Sequence, residues 1–372
     1  MIAAGGGGDA VAAAMIAACR SSEPANILTY SWDRLLIDPL PGPRDPSSFE
    51  GLEKAGHYNY RVLPKSVTKP PLGSTLPRLA SELPAILWLI DPRQGAVGLS
   101  EQIRELKRLL NIDEIEVVDV GGDILATKPE HTAHGALADT LVLAGVGAVE
   151  TDIKVLLAGL GLDGETSTQD LSSRIKEIGS QVAFHVSGEA VAGFRRVFEW
   201  HPSEVTGLLW AAAMGARGMA EIRSAGLRVS LEDESTRIET ASAQNIILNN
   251  PLVAAVAGTR SLLEAEAALR LIGCPSEIDF ERMKASKIRR AKRHDKSDAQ
   301  TLASNARSLT QPKRAQGVDF VTLRRLFKML KTELIIFPDL HEQLSQADAR
   351  EYRPPLWVLN QPAWPDVQFT FR

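Results

Sequence analysis

Short apolar runs alternate with helical patterns along the first half of the chain. Runs with so few polar residues are typical of strands that are covered on both faces, as in a parallel sheet. The alternation therefore predicts an α/β fold, a Rossmann-like three-layer αβα sandwich with a mostly parallel sheet. The predicted strands are NILTYSW (26–32), AILWLID (85–91), IEVVDV (115–120), KVLLAGLGL (154–162) and QVAFHVS (181–187).

Helical segments between these runs carry recognisable end signals. SEQIRELKRLLN begins with Ser100 as a candidate N-cap, and Ser167 stands three residues before Asp170, close to a capping box. Gly179 stands where the second of these helices should end. From about Ser203 the pattern predicts mostly helices, including one through residues 203–222, with LRVSLE (227–232) as one more candidate strand.

Length and composition limit the classes of protein. With 372 residues, of which 44% are hydrophobic, the chain can bury a large core. The formal net charge of −4 argues against a protein built to coat nucleic acid. Two cysteines, far apart, indicate neither a disulfide framework nor a thiolate zinc site. No apolar stretch of about 18 residues occurs, so we expect a cytoplasmic protein without a membrane span.

We divide the chain into an α/β core over residues 1–275 and a C-terminal part over residues 276–372. Between Glu281 and Gly317 there are eleven Lys or Arg against three acidic residues, and the basic stretch proper covers 282–314. A solvated helix and loop explain this stretch better than a nucleic-acid patch, because stacking aromatic residues are missing. The Pro- and Trp-rich tail that follows is expected to pack on the core or on a second copy, so a homo-oligomer is one possible outcome.

Four consecutive glycines and an acid, Gly5, Gly6, Gly7, Gly8 and Asp9, precede a helical run that starts at about Ala10. Backbone N–H groups at the start of a helix can bind a phosphate or carboxylate. The spacing fits neither the dinucleotide fingerprint nor the P-loop. It is similar to the SGGxDS loop of ATP pyrophosphatases at Gly6, Gly7 and Asp9, whereas the flanking serines are replaced.

Two further loops leave predicted strands with glycine and acidic residues. In a parallel sheet these loops open on the same edge as the first, which would bring Asp9, Asp123, Asp163 and Glu165 around one crevice. Such carboxylates could bind a divalent metal such as Mg²⁺ or Mn²⁺, with Asp123, Asp163 and Glu165 as ligands. Alternatively, they could act as general acids and bases. Each loop alone could equally be an ordinary turn. The other candidate binding residues in these loops are Gly121, Gly122, Gly161, Gly164 and Thr166.

Two more features are candidates for the site. Arg44 lies in a long Pro-rich segment and could bind the anionic end of a ligand. His131 and His134 stand three residues apart, and His134 is the better candidate for acid-base work. Ordinary surface roles remain open for all three residues.

The motifs GGGGD, SWDRLLIDPLPGPR, VVDVGGDIL and LAGLGLDGETS occur in this order along the chain. In this respect the chain resembles the bacterial and archaeal family known as domain of unknown function 1152, over most of its first 300 residues. That resemblance implies no activity. VVDVGGDIL is also similar to Gly-Asp loops of D-glutamate cyclase proteins, which implies metal-dependent lyase chemistry on small carboxylates.

The sequence therefore predicts a small-molecule enzyme that binds a phosphorylated, nucleotide or nucleoside-like anion at Gly5–Gly8. Clustered carboxylates would serve hydrolysis or group transfer. Two alternatives stay open: a lyase or cyclase acting on a small amino acid or carboxylate, and a nucleotide-sensing or interaction module without catalysis.

Overall fold

The structure is a computed structural model. It describes residues 1–364 except 36, 128–135, 150–151, 224, 249, 289–298, 331–336 and 348.

The strands of the described residues form one large sheet, a second smaller sheet and a separate pair. They are β1 (Ile2–Ala3), β2 (Ala25–Thr29), β3 (Phe49–Glu50), β4 (Glu53–Ala55), β5 (Asn59–Arg61), β6 (Val67–Thr68), β7 (Ala85–Leu89), β8 (Glu116–Val120), β9 (Lys154–Ala158), β10 (Gln181–His185), β11 (Gly218–Ile222), β12 (Leu227–Leu231), β13 (Arg237–Ser242), β14 (Phe320–Thr322), β15 (Tyr352–Arg353) and β16 (Leu356–Val358).

The helices of the described residues pack mainly on the two faces of the large sheet and around the smaller one. They are α1 (Gly8–Ala18), α2 (Leu76–Glu82), α3 (Gly95–Leu109), α4 (Leu137–Gly147), α5 (Thr168–Glu177), α6 (Gly188–Val191), α7 (Arg195–Phe198), α8 (Glu204–Ala213), α9 (Ala243–Leu248), α10 (Pro251–Val256), α11 (Leu262–Leu271), α12 (Glu277–Ile288), α13 (Ala299–Ala315), α14 (Leu323–Met329) and α15 (Phe337–Gln346).

The large sheet has nine strands in the order β10-β13-β9-β8-β1-β2-β7-β5-β4. The five central strands, from β9 to β7, are parallel to their neighbours, and only β13 and β5 run in the opposite direction. The chain leaves β1 on one side for β2 and β7 and then returns to the other side for β8 and β9. This is the order of a doubly wound sheet, with its switch point between β1 and β8. The predicted α/β fold is confirmed.

Two hydrophobic cores cover opposite faces of the large sheet, because successive strand residues alternate between the faces. Ile27 and Val118 belong to the core under α1, α2 and α8, whereas Leu28 and Val117 belong to the core under α3, α4, α10 and α11. All four side chains are buried. The αβα layering that the apolar runs predict is thus present.

The smaller sheet has five strands in the order β12-β11-β14-β16-β15. Its members come from both sides of the expected boundary at residue 275, because β14 pairs in parallel with β11. A third hydrophobic core lies between this sheet and the helices α13 to α15, around Trp357. The tail that contains Trp357 therefore folds on its own chain and supplies the strands β15 and β16.

Some local predictions were wrong. Ser100 is not an N-cap: α3 already begins at Gly95, and the Ser100 hydroxyl donates to the carbonyl of Val97. The helix predicted through residues 203–222 ends at Ala213, because Gly215 takes a φ of 91° that ends the helix, and 218–222 become β11. By contrast, Ser167 does cap α5 by accepting the N–H of Asp170.

Among the described residues, no helix has both the length and the apolar character that a membrane crossing requires.

Candidate functional site

A cavity of about 240 Å³ lies at the carboxyl ends of β1, β2, β8 and β9. In doubly wound sheets this edge, at the switch point of the strand order, is where ligands bind. Four loops reach the cavity because the central strands are parallel and end along one line. These loops follow β1, β2, β8 and β9, and the segment that leads into α8 also lines the cavity.

The glycine loop after β1 packs closely against the protein on two sides. A Cβ atom at Gly6 would lie 2.9 Å from the carbonyl oxygen of Trp32, and one at Gly8 would lie 2.2 Å from Oγ of Ser203. The N–H of Gly7 donates to the same Trp32 carbonyl at 3.2 Å. The glycines are therefore required by close approach of the backbone, and all four of them line the cavity.

The first group of acids in the cavity consists of Asp123, Asp163 and Glu165, here called the Asp163 cluster. Each offers one carboxylate oxygen, and the three oxygens lie within 4.8 Å of one another. Oxygens bound to one cation at about 2.1 to 2.4 Å can be at most about 4.2 to 4.8 Å apart, so this upper limit on the spacing is compatible with a shared cation. Arg223 forms an ion pair with Glu165, and its Nε donates to the carbonyl of Asp163 at 2.8 Å.

The second group consists of Asp9, Asp119 and Asp139, here called the Asp139 cluster. Its three nearest carboxylate oxygens also lie within 4.8 Å of one another. Asp9 stands in the first turn of α1 and Asp139 in the first turn of α4, where the positive ends of the helix dipoles favour a negative charge.

Three other acids line the cavity but already bind backbone or side-chain donors. Asp33 accepts from the N–H and the hydroxyl of Thr75 at the start of α2. Glu277 accepts from the N–H groups of Leu137 and Ala138 at the start of α4. Asp33 and Glu277 therefore bind donors at the N-termini of α2 and α4, respectively. The remaining one, Glu281, accepts from the indole of Trp32 and the N–H of Gly42.

Burial and mutual repulsion make these acids hard to ionise without a cation. Burial, together with the charge of Asp139, raises the pKa of Asp9 well above its usual value. Burial raises the pKa of Asp139 to about 6. Burial and the charge of Glu165 raise the pKa of Asp163 to about 6 as well. Burial and the charges of Glu165 and Asp163 raise the pKa of Asp123 well above its usual value. Bound cations would remove this repulsion.

Donors stand on another part of the cavity wall. The Arg34 guanidinium forms no ion pair or hydrogen bond among the described residues, and Arg34 is exposed and lines the cavity. The neighbouring charge of Arg324 lowers the pKa of Arg34 to about 9, which leaves it charged at neutral pH. His201 accepts the N–H of Ser203 at Nδ1, so Nε2 carries the proton and has no acceptor among the described residues. Burial lowers the pKa of His201 to about 3.

Candidate residues from the sequence fall into four groups. Asp9, Asp123, Asp163 and Glu165 line the one cavity together with Gly5–Gly8. Arg44 does not line it: its guanidinium forms an ion pair with Asp38 and donates to carbonyls of its own loop, so it cannot bind a ligand there. His131 and His134 lie outside the described residues.

The remaining candidates, Gly121, Gly122, Gly161, Gly164 and Thr166, lie in the loops after β8 and β9 and do not line the cavity. They shape the turns that present the acids. Gly121, for example, has a φ of 115°, and a Cβ atom there would lie 3.1 Å from Oδ2 of Asp163.

Sequence reasoning did not assign eight charged or titratable residues of the cavity wall to the site: Asp33, Arg34, Asp119, Asp139, His201, Arg223, Glu277 and Glu281. Asp139 is the only charged residue within the apolar run of α4, which is a signal that a closer reading could have used. Asp119 stands inside the strand run IEVVDV, where an acid is equally out of place. Nothing in the local sequence distinguishes Arg34 and Arg223, which reach the cavity only through the tertiary fold.

Comparison with known proteins gives one match. The model of the family described as "Protein of unknown function (DUF1152)" matches residues 1–285. No curated protein and no solved structure matches the chain.

Proposed function

We propose that this chain, which belongs to the DUF1152 family of proteins of unknown function, is a divalent-metal-dependent enzyme that acts on a small phosphorylated or nucleotide-like anion. One observation carries the proposal: the Asp163 cluster and the unpaired guanidinium of Arg34 face the same cavity. A cation site next to a free positive side chain suits a ligand that carries negative charge.

The electrostatics of Arg34 support this arrangement. Its charged form is disfavoured by Arg324 and Arg223 and favoured by Glu204 and Glu165, so these groups lie within electrostatic range of one another. A phosphate could therefore bind Arg34 and a cation at the Asp163 cluster at the same time. The Nε2–H of His201 offers one more donor to such an oxygen.

The chemistry would be hydrolysis or group transfer. A cation held by Asp123, Asp163 and Glu165 would polarise a phosphoryl oxygen and lower the pKa of a bound water. A carboxyl group of the cavity that is not bound to the cation could take up the released proton; Asp33 is one, and burial raises its pKa to about 6.

A lyase or cyclase acting on a small amino acid is the second candidate. The observation that favours it is that Arg34 and His201 can bind a carboxylate as well as a phosphate. A non-catalytic nucleotide-sensing module is the third. The cytoplasmic location and a homo-oligomer formed through the C-terminal tail remain predictions that accompany these candidates.

Thermal unfolding of the EDTA-treated protein tests the proposal. Mn²⁺ with ATP, nucleoside monophosphates, sugar phosphates or amino acids is added in turn, since a bound ligand raises stability by RT ln(1 + [L]/Kd). We expect a phosphorylated compound to stabilise the protein only with Mn²⁺, and this effect to disappear in Asp163→Asn. The matched control is Asp233→Asn, because Asp233 is exposed and, among the described residues, forms an ion pair with Arg217 on the surface.

Three other results would contradict the proposal. Stabilisation by an amino acid alone would favour the lyase. A nucleotide effect that needs no Mn²⁺ and survives Asp163→Asn would favour the sensing module. Salt-sensitive binding of nucleic acid that is lost when Lys284 and the lysines and arginines up to Lys296 are neutralised would favour the interaction module.

A further inference from the structure

The Asp139 cluster is built by three separate elements of the large sheet and its helices. Asp9 comes from the first turn of α1, Asp119 from β8 and Asp139 from the first turn of α4. Three elements that are distant in sequence thus bring carboxylate oxygens within 4.8 Å of one another in the protein interior. Like charges at such a distance repel one another unless something lies between them.

Two oxygens of this cluster have no partner. Asp119 is 1% exposed and Asp139 is 5% exposed, and both line the cavity. Oδ2 of Asp119 and Oδ1 of Asp139 accept no hydrogen bond from the described residues. A buried polar atom without a partner is rare in native proteins and is energetically costly. These oxygens therefore point to a ligand that the described residues do not supply.

The other oxygens of the cluster show that the site is built to keep its shape. Oδ2 of Asp9 accepts the N–H of Gly5 at 2.8 Å. Oδ1 of Asp119 accepts the N–H of Ile124 at 3.3 Å. The carboxylates of Asp9 and Asp119 are thus each oriented by a backbone N–H through one oxygen, as metal ligands usually are.

No described Lys or Arg forms an ion pair with the Asp139 cluster, in contrast to the Asp163 cluster, where Arg223 pairs with Glu165. The charges that act most on Asp119 are those of Asp139 and Asp9 themselves. The negative charge of the Asp139 cluster is therefore less compensated by neighbouring cationic side chains than that of the Asp163 cluster. A bound cation would supply the missing positive charge.

We infer that Asp9, Asp119 and Asp139 bind a second divalent cation of the hard, oxygen-preferring class, such as Mg²⁺ or Mn²⁺. Three carboxylates without nitrogen or sulfur ligands select this class over zinc or copper. The inference goes beyond the proposed function, because it needs neither a substrate nor a cation at the Asp163 cluster. The competing explanation is that the three acids share protons.

Counting bound Mn²⁺ decides between these explanations. The EDTA-treated full chain is titrated with Mn²⁺ at pH 7.5, and free Mn²⁺ is measured by its electron paramagnetic resonance signal. We expect two ions per chain in the wild type, one in Asp139→Asn, one in Asp163→Asn and none in the double variant. Asp233→Asn, the surface control, should keep two. Asn preserves the shape of Asp, and Asp119→Asn serves in the same way should Asp139→Asn not fold, as judged by circular dichroism.

The two proposals fail in different ways. If the wild type binds one ion that is kept in Asp139→Asn and lost in Asp163→Asn, the second site does not exist while the proposed function stands. If the one ion is lost in Asp139→Asn and kept in Asp163→Asn, the inference stands and the metal of the proposed function is refuted. If no Mn²⁺ binds, protons satisfy the Asp139 cluster and both proposals are overturned.

Discussion

The backbone N–H of Gly5 donates a hydrogen bond of 2.8 Å to Oδ2 of Asp9. The first glycine of the loop therefore orients the first acid of the Asp139 cluster, four residues further along the chain. This contact uses one of the N–H groups that the sequence assigned to an anionic ligand, so the loop positions a carboxylate at that point.

Replacing Gly5 should disturb this cluster first. A Cβ atom at Gly5 would lie 2.6 Å from Oδ2 of Asp9, so Gly5→Ala must displace the carboxylate. We expect one of two Mn²⁺ ions to bind more weakly, while the ion at the Asp163 cluster is unaffected. Mn²⁺ titration measures this. Gly193→Ala is the control, because a Cβ atom there has nothing within 4 Å; equal behaviour of the two variants would contradict the role given to Gly5.

Arg34 should be needed for the anion and not for the fold. It has no partner among the described residues, and Arg324 disfavours its charge. Arg34→Gln should therefore keep Mn²⁺ binding and weaken inorganic phosphate binding by roughly 10-fold to 100-fold, since a hydrogen bond to a charged group is worth about 1.5–3 kcal/mol. Calorimetric titration of the Mn²⁺-loaded protein with phosphate checks this. Arg195→Gln, on the exposed surface, is the control; unchanged phosphate affinity in Arg34→Gln would remove Arg34 from the site.

The metal-free protein should lose stability as the pH rises from 5 to 7.5. The pKa values of Asp139 and Asp163 are raised to about 6 in the folded state, so the folded state binds more protons than the unfolded state between about pH 4 and 6. Their contribution is complete below the unfolded pKa and is lost as the pH passes about 6. Glu277, with a pKa of about 8, extends the loss to higher pH.

Urea unfolding with EDTA at pH 5, 6 and 7.5 measures this dependence. Mn²⁺ should reverse the trend, because metal binding requires deprotonated carboxylates and strengthens with pH. The double variant Asp139→Asn/Asp163→Asn should show a flatter profile. If the metal-free wild type becomes more stable from pH 5 to 7.5, then Asp139, Asp163 and Glu277 do not determine the pH dependence of its stability.

Glu204 should be important for stability. It is buried, accepts the N–H of Arg223 at 2.9 Å and the hydroxyl of Thr322, and pairs with Arg324 at 3.2 Å. Glu204→Gln leaves Arg324 without its counter-charge, and breaking a buried pair costs about 3–5 kcal/mol. Urea unfolding at pH 7 should show a loss of this size. Glu199→Gln, whose charge pairs with Arg195 on the surface, is the comparison and should change stability by less than about 1 kcal/mol.

The fold could be predicted largely because periodicity is local. The runs at 26–32, 85–91, 115–120 and 154–162 match the four strands β2, β7, β8 and β9 to within a few residues. Parallel strands necessarily place their following loops on one edge. For that reason Asp9, Asp123, Asp163 and Glu165 could be placed together from sequence alone.

The rest of the site depends on contacts that no local pattern encodes. Arg223 reaches the Asp163 cluster with a φ of 55°, and Arg34 reaches the cavity from the segment after β2. Arg44 is the instructive counter-example: its Pro-rich segment suggests a binding loop, but Asp38 lies six residues away and neutralises it. Which arginine is free and which is paired is decided by tertiary structure.

The ion pair of Glu204 and Arg324 joins the part of the chain that the DUF1152 model matches, which ends at residue 285, to the part that follows it. A chimera in which everything after residue 285 is exchanged would leave the buried Glu204 carboxylate, which accepts the N–H of Arg223, without the charge of Arg324. The two stretches are therefore not interchangeable modules: whatever replaces the second must bring its own guanidinium to the same spot.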